Sequence, residues 1–228
     1  MTKNENYIEE ELSNMPKAIP IDELKVLSDL IKTHICIIAG KDGSHGTGFF
    51  CNILNDCNIL KVLVTNNHVL NSNDIQPGQT INFSINNDLK KFNILIDNTR
   101  KTYTNEIYDV TIIEIKKDDN IDLNSFFELD NQIFKENSNE IFTNCQIYLL
   151  HYPNGLKMEI SNGVIKSINE DKDNSTIYYL CDVNKGFLGG PIINNTNFQV
   201  IGIHKGGEGA KNDSLGTLLN QPIKKFIE

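Results

Sequence analysis

No stretch of this 228-residue chain approaches the roughly 20 consecutive apolar residues of a membrane-spanning helix. The opening residues, MTKNENYIEEELSNMPK, have neither the basic start nor the apolar segment of a secretory signal, so none is expected. No CxxC pair occurs. The five cysteines (Cys36, Cys51, Cys57, Cys145 and Cys181) are odd in number and dispersed, which reads as free thiols in a reducing compartment and makes a cytoplasmic location the expectation. The five histidines (His34, His45, His68, His151 and His204) are also scattered, so no zinc cluster is expected. Positive charge is in short supply: 21 Lys and Arg against 30 Asp and Glu give a net charge of −9. Such a chain repels phosphate backbones and anionic bilayers, and neither nucleic acid nor membrane is expected as a partner. Internal repeats and low-complexity linkers are absent.

What the chain does have is short β-type runs. HICIIAG (34–40), TGFFCNI (47–53), LKVLVTN (60–66), TINFSI (80–85), FNILI (92–96) and DVTIIEI (109–115) come first. CQIYLLHY (145–152), MEISNGVIKSI (158–168), STIYYLCDV (175–183), GGPIIN (189–194) and FQVIGIHKG (198–206) follow. They are rich in β-branched and aromatic residues and bounded by Asn, Asp and Gly clusters. With almost no helix between them, they predict an all-β fold of barrels or a sandwich. IDELKVLSDLIK (21–32) spaces its apolar residues for a helix and follows Pro20, and NQPIKKFIE (220–228) predicts a short closing helix. The polar segment 116–140 is the expected connector between two β-lobes.

Three fragments could carry chemistry. In VLVTNNHVL (62–70), His68 follows directly on an apolar strand, which fits either a cleft or an ordinary surface loop. In YDVTIIEI (108–115), Asp109 opens a buried strand; it either orients a histidine or starts a turn, and a buried carboxylate needs a partner in either case. In KGFLGGP (185–191), glycines frame a sharp turn whose N–H groups can converge on an anion, or which is a bulge without chemistry.

In the order His, Asp and GxxGGP, followed by VIGIHKGG, these fragments resemble the trypsin-like serine endopeptidases of the chymotrypsin fold, from about residue 33 onward. GTGFF (46–50) is similar to an early strand of that family and HYPNGLKMEISNGVI (151–165) to its mid-domain strand pair. The IGIH segment resembles the glutamyl endopeptidase branch. The resemblance implies two six-stranded antiparallel barrels with a short N-terminal and a C-terminal helix. It implies an N-terminal extension over 1–32 and a peptidase domain over 33–228, with lobes at about 33–115 and 141–228. His68 is implied as general base, Asp109 as its orienter, and residue 188 as the nucleophile position, with the N–H groups of Gly186 and Leu188 as oxyanion hole. His204 and Asn184 would contact the substrate side chain, although His204 can equally cap a strand end. The substrate is a polypeptide and no metal or organic cofactor is implied.

One residue breaks the pattern. The family has serine where this chain has Leu188, which can neither attack a carbonyl nor give a proton to His68. The chain is therefore expected to be inert as a protease, either as a natural pseudoprotease that binds peptides or proteins, or as a changed form of an active parent. Cleavage after acidic residues is the branch's implied specificity, but Val183 and Asn184 occupy the stretch where that branch has a helping hydroxyl. Phe187 replaces the aspartate that pairs with a freed N-terminus in digestive relatives, which argues against zymogen activation of that kind.

Overall fold

The computed structural model describes residues 15–40, 43, 45–55, 58–85, 90–122, 126–152, 157–171, 174–181, 189–208 and 213–228. The first element is helix α1 (Ile21–His34), entered from extended Pro20. Asp22 and Glu23 lie in its first turn and Lys32 and His34 in its last, which suits the helix dipole. Leu27 and Ile31, four residues apart, form its buried stripe.

Seven strands then build one antiparallel sheet: β1 (Ile35–Ala39), β2 (His45–Asn55), β3 (Asn58–Thr65), β4 (Thr80–Ile85), β5 (Lys90–Leu95), β6 (Thr102–Asn105) and β7 (Val110–Glu114). Their order is β5-β4-β1-β2-β3-β7-β6, and β8 (Phe127–Glu128) adds to β2 in parallel. The remaining six, β9 (Gln146–His151), β10 (Glu159–Asp171), β11 (Asn174–Cys181), β12 (Pro191–Asn194), β13 (Val200–Glu208) and β14 (Asp213–Leu218), close a barrel in the order β10-β11-β14-β13-β12-β9. Helix α2 (Ser138–Phe142) precedes the barrel and α3 (Asn220–Ile227) ends the chain.

Only one of the two expected barrels closes. The first lobe is a curled half-barrel, because its end strands β5 and β6 share no ladder. A buried guanidinium ties the end of β5 to the end of β7. Arg100, on the link from β5 to β6, donates from Nε to Leu95 O (3.0 Å) and from Nη1 to Glu114 O (2.6 Å). Its Nη1 and Nη2 also meet the two Asp119 oxygens at 2.7 and 2.8 Å. A side-chain donor thus satisfies two carbonyls at strand ends.

The central strands of the sheet are buried on both faces, which is why they read as continuous apolar runs. On β1, Cys36 and Ile38 point into the half-barrel with Phe50, Leu63, Phe83 and Ile113. Ile35 and Ile37 point the other way, into a core that continues through Phe49, Val64 and Val110 to Leu149, Ile177 and Ile203 of the barrel. The segment expected as a polar connector also feeds this core through Phe127, Leu129 and Ile133. Polar bonds cross the same interface: Tyr152 N donates to Thr47 Oγ1 (3.0 Å) and Thr217 Oγ1 donates to Tyr108 O (2.6 Å).

Candidate active site

Strand β3 ends at Thr65, and the chain turns tightly over Asn66–Leu70. Val69 N and Leu70 N both donate to Asn66 O, at 3.2 and 3.1 Å. Almost every residue of this turn is tied to the sheet. Asn66 Nδ2 donates to Asp109 O (2.9 Å), Asn67 Nδ2 to Thr104 Oγ1 (2.7 Å), and Thr111 Oγ1 to Leu70 O (2.6 Å). Thr104 and Thr111 are themselves hydrogen-bonded at 2.6 Å. A turn pinned at so many points holds its one protruding side chain, His68, in place.

Asp109 meets that side chain. His68 Nδ1 lies 2.8 Å from Asp109 Oδ2 and 3.0 Å from Oδ1, and the His68 backbone N–H donates to Oδ1 at 3.0 Å. An ionised carboxylate only accepts, so the ring proton sits on Nδ1 and the Nε2 lone pair is left to act as a base. The side chains are unequally exposed, 39% for His68 and 12% for Asp109. The carboxylate is thus sheltered and the imidazole is reachable. Asp109 adopts φ 51°, a left-handed conformation that is uncommon outside glycine. Its own N–H donates to Glu106 O (3.1 Å) and its carbonyl accepts from Asn66, so the turn and the sheet together hold the strained backbone.

The far end of the glycine turn lies against the same place. Gly189 has φ 86°, and a Cβ there would stand 2.1 Å from Thr47 O and 3.3 Å from Asn66 Oδ1. A Cβ on Gly190 would stand 2.3 Å from Leu150 O. The pair is wedged between the sheet on one side and the barrel on the other, and no side chain fits at either position. Gly189 N donates to His204 O (3.2 Å) and His204 N to Gly190 O (2.8 Å), which brings His204 to the turn.

Of the residues expected from sequence, His68, Asp109 and His204 are thus gathered around Gly189–Gly190. Asn184, Gly186 and Leu188 lie outside the described residues. Several contributors were missed. Asn66, Thr104 and Thr111 hold the histidine turn, Thr47 O lies against Gly189, and Tyr179 hydrogen-bonds to His204 Nδ1. The signal for Asn66 was present: TNN is polar, yet it directly continues a buried strand. The threonines of TYTN and DVT gave no such sign.

The sequence profile of the trypsin-like peptidase domain matches residues 46–203, more than half of the chain. A search of curated protein sequences gives no match. Among solved structures, the Rv3671c protease from M. tuberculosis in its active form is similar at TM-score 0.62 and 19% identity, covering 93% of this chain and 90% of that one. Deg5 is similar at TM-score 0.61 and 15% identity, covering 91% and 95%. The HtrA-type protease AlgW, solved with a tripeptide, is similar at TM-score 0.58 and 14% identity, covering 86% of this chain and 58% of its own. At these identities the structures speak for the chymotrypsin-like fold. The profile match decides membership: the chain belongs to the family of trypsin-like peptidase domains.

Proposed function

We propose that this chain has the architecture of a serine endopeptidase and lacks its nucleophile. The observation that carries the reading is the 2.8 Å contact of His68 Nδ1 with Asp109 Oδ2, beside a glycine pair that only a closely packed turn requires. In an active form, a serine hydroxyl at position 188 gives its proton to His68 Nε2 as the oxygen attacks the scissile carbonyl. Asp109 holds the Nδ1 proton and stabilises the imidazolium that forms. The N–H groups of residues 186 and 188 receive the developing oxyanion. His68 then returns its proton to the leaving amine, and water repeats the cycle on the acyl-enzyme. His204 and Asn184 contact the side chain preceding the cut, which would carry an oxygen acceptor such as the acidic group implied by the glutamyl branch.

With Leu188 none of this begins. Loss of the nucleophile in this mechanism costs about 10⁶ in turnover. The substrate is a polypeptide, a reading supported by AlgW, a protein of the same fold solved with a tripeptide and with a decapeptide. Among the described residues, the free thiols of Cys36, Cys51 and Cys145 support a reading of work in a reducing compartment.

Leu188→Ser is the decisive variant. We expect it to cleave peptides and to be labelled by a fluorophosphonate at the introduced hydroxyl only when His68 is intact. A folded Leu188→Ser chain that neither cleaves nor labels would overturn the enzyme reading. It would favour the second one, a peptide- or protein-binding module, for which Leu188 itself is the supporting observation.

A further inference from the structure

Asp109 is held through its backbone as well as through His68. At φ 51° it occupies a conformation that persists only where the surroundings over-determine it. Three consecutive carbonyls, ending with its own, each accept from a side chain of a different element. Lys205 Nζ on β13 donates to Ile107 O (2.8 Å), Thr217 Oγ1 on β14 to Tyr108 O (2.6 Å), and Asn66 Nδ2, just after β3, to Asp109 O (2.9 Å). Two of these three donors come from the barrel, although Asp109 belongs to the half-barrel.

The strand explains why Thr217 reaches across. It pairs with Thr176 of β11 on one side and Ile203 of β13 on the other, so its backbone is fixed within the barrel wall. Its neighbour Gly216 faces the barrel interior, where a Cβ would lie 2.3 Å from Ile192 Cδ1 and 3.4 Å from the Tyr179 ring. Side chains alternate along a strand, so the Thr217 hydroxyl leaves the barrel on its outer face, toward the half-barrel. Burial separates the two barrel donors. Ile107, whose carbonyl accepts from Lys205, is 60% exposed, and water can take the place of that ammonium. Thr217 and Tyr108 are each only 2% exposed, so loss of the hydroxyl leaves a buried carbonyl without its donor.

We propose that Thr217 is a positioning residue for Asp109: from the opposite lobe, its hydroxyl fixes the peptide that precedes Asp109 and so aims the carboxylate at His68. The proposal rests on reading Asp109 as the partner that orients His68. The Tyr108 carbonyl lies in the same peptide plane as the Asp109 N–H, which donates to Glu106 O at 3.1 Å. With both ends of that plane bonded, the direction in which the Asp109 side chain leaves the backbone is set. The barrel thereby takes part in holding the His68 Nδ1 proton, although neither His68 nor Asp109 belongs to it.

The test reads the His68 Nδ1 proton by NMR in the full chain near neutral pH. That proton should give a downfield resonance in slow exchange with water, because it is shared with a sheltered carboxylate. Thr217→Val keeps the shape and loses the hydroxyl, and it should speed the exchange by about tenfold, the factor that one hydrogen bond of ordinary net strength supplies. Thr217→Ser, which keeps the hydroxyl, should exchange as the unaltered chain does. If valine unfolds the chain, Thr217→Ala gives the same readout. Lys205→Met, which removes the exposed donor, and Leu27→Ala, which weakens the shared core, should both leave the resonance in place. An unchanged Nδ1 proton in folded Thr217→Val overturns the proposal. So does an equal loss in Leu27→Ala, which would make Thr217 a packing residue only. Asp109→Gly suits the positive φ and removes the carboxylate, and it should abolish the resonance. If the resonance survives there, the pairing of His68 with Asp109 fails, and the proposed function fails with it.

Discussion

Three histidines of this chain show how far one residue type is shaped by its partner. His68 faces a carboxylate, His204 a phenol and His151 a serine. His151, at the end of β9, is 0% exposed, and its Nε2 lies 3.2 Å from Ser161 Oγ. Burial lowers its pKa from 6.5 to about 4. The unfolded chain takes up a proton at this residue below pH 6.5, whereas the folded chain does so only near pH 4. Between those values the unfolded state binds more protons, so stability falls as the solution is acidified. The loss attributable to His151 is about 3 kcal/mol over that window, and none of it is felt above about pH 7. Urea unfolding at about pH 7.5, 5.5 and 4.5 should show this slope, and His151→Gln should flatten it. An unchanged slope in the variant would assign the acid sensitivity to other groups. Sequence singled out His68 and His204 through their neighbours in the chain. It said nothing of His151, because the strand that encloses it is brought there by the barrel.

At the scale of elements, the strands that were legible are those buried on both sides. β1, β3 and β7 are short apolar runs with turn residues at their ends, and such runs announce themselves. The strands that escaped notice are of another kind. β6, TYTN, is an edge strand whose four residues are all half-buried. β8 is two residues long, and β14, DSLGTL, carries a glycine where its neighbour's ring needs room. Closure of the first lobe was illegible for a related reason. It depends on whether β5 and β6 meet, and a run of residues does not record which strand it will lie beside. Arg100, on the link between them, ties the end of β5 to the end of β7. Its side chain is 4% exposed and that of Asp119 8%, so the ion pair is buried. Removing one member strands the other charge, which typically costs about 3–5 kcal/mol. Arg100→Met should lose that much in denaturant unfolding. Combining it with Asp119→Asn should cost less than the sum of the two, since the pair then leaves together. Additive losses would mean that the guanidinium acts through the Leu95 and Glu114 carbonyls rather than through the carboxylate.

For the whole molecule, the question is what keeps the half-barrel and the barrel in register, since His68 and Asp109 belong to one and Gly189, Gly190 and His204 to the other. Helix α1 contributes directly. Leu27 and Ile31 enter the same apolar core as Phe49 and Val64 of the sheet and Leu149 and Ile177 of the barrel. Glu23 accepts the hydroxyl of Tyr148 on β9, and ahead of the helix Lys17 N donates to Gln146 Oε1 at 3.1 Å. The sequence foretold the helix from its spacing, but its docking across both lobes depends on partners more than a hundred residues away. Because that core is continuous, damage at the helix should reach both lobes. Leu27 is 0% exposed, and truncation of such a leucine to alanine costs about 2–5 kcal/mol. Leu27→Ala should therefore lower the opening free energy measured by hydrogen exchange at Val64 and Val110 of the sheet. It should lower that at Ile177 and Ile203 of the barrel by a similar amount. In a Leu188→Ser background the same substitution should reduce cleavage only at temperatures near the lowered melting point, because it touches none of the reacting groups. Barrel amides that keep their full protection while the sheet amides lose theirs would show that the two lobes unfold separately. In that case α1 would be a buttress of the half-barrel alone, and the register of the site would have to come from the direct bonds at Thr47 and Thr217.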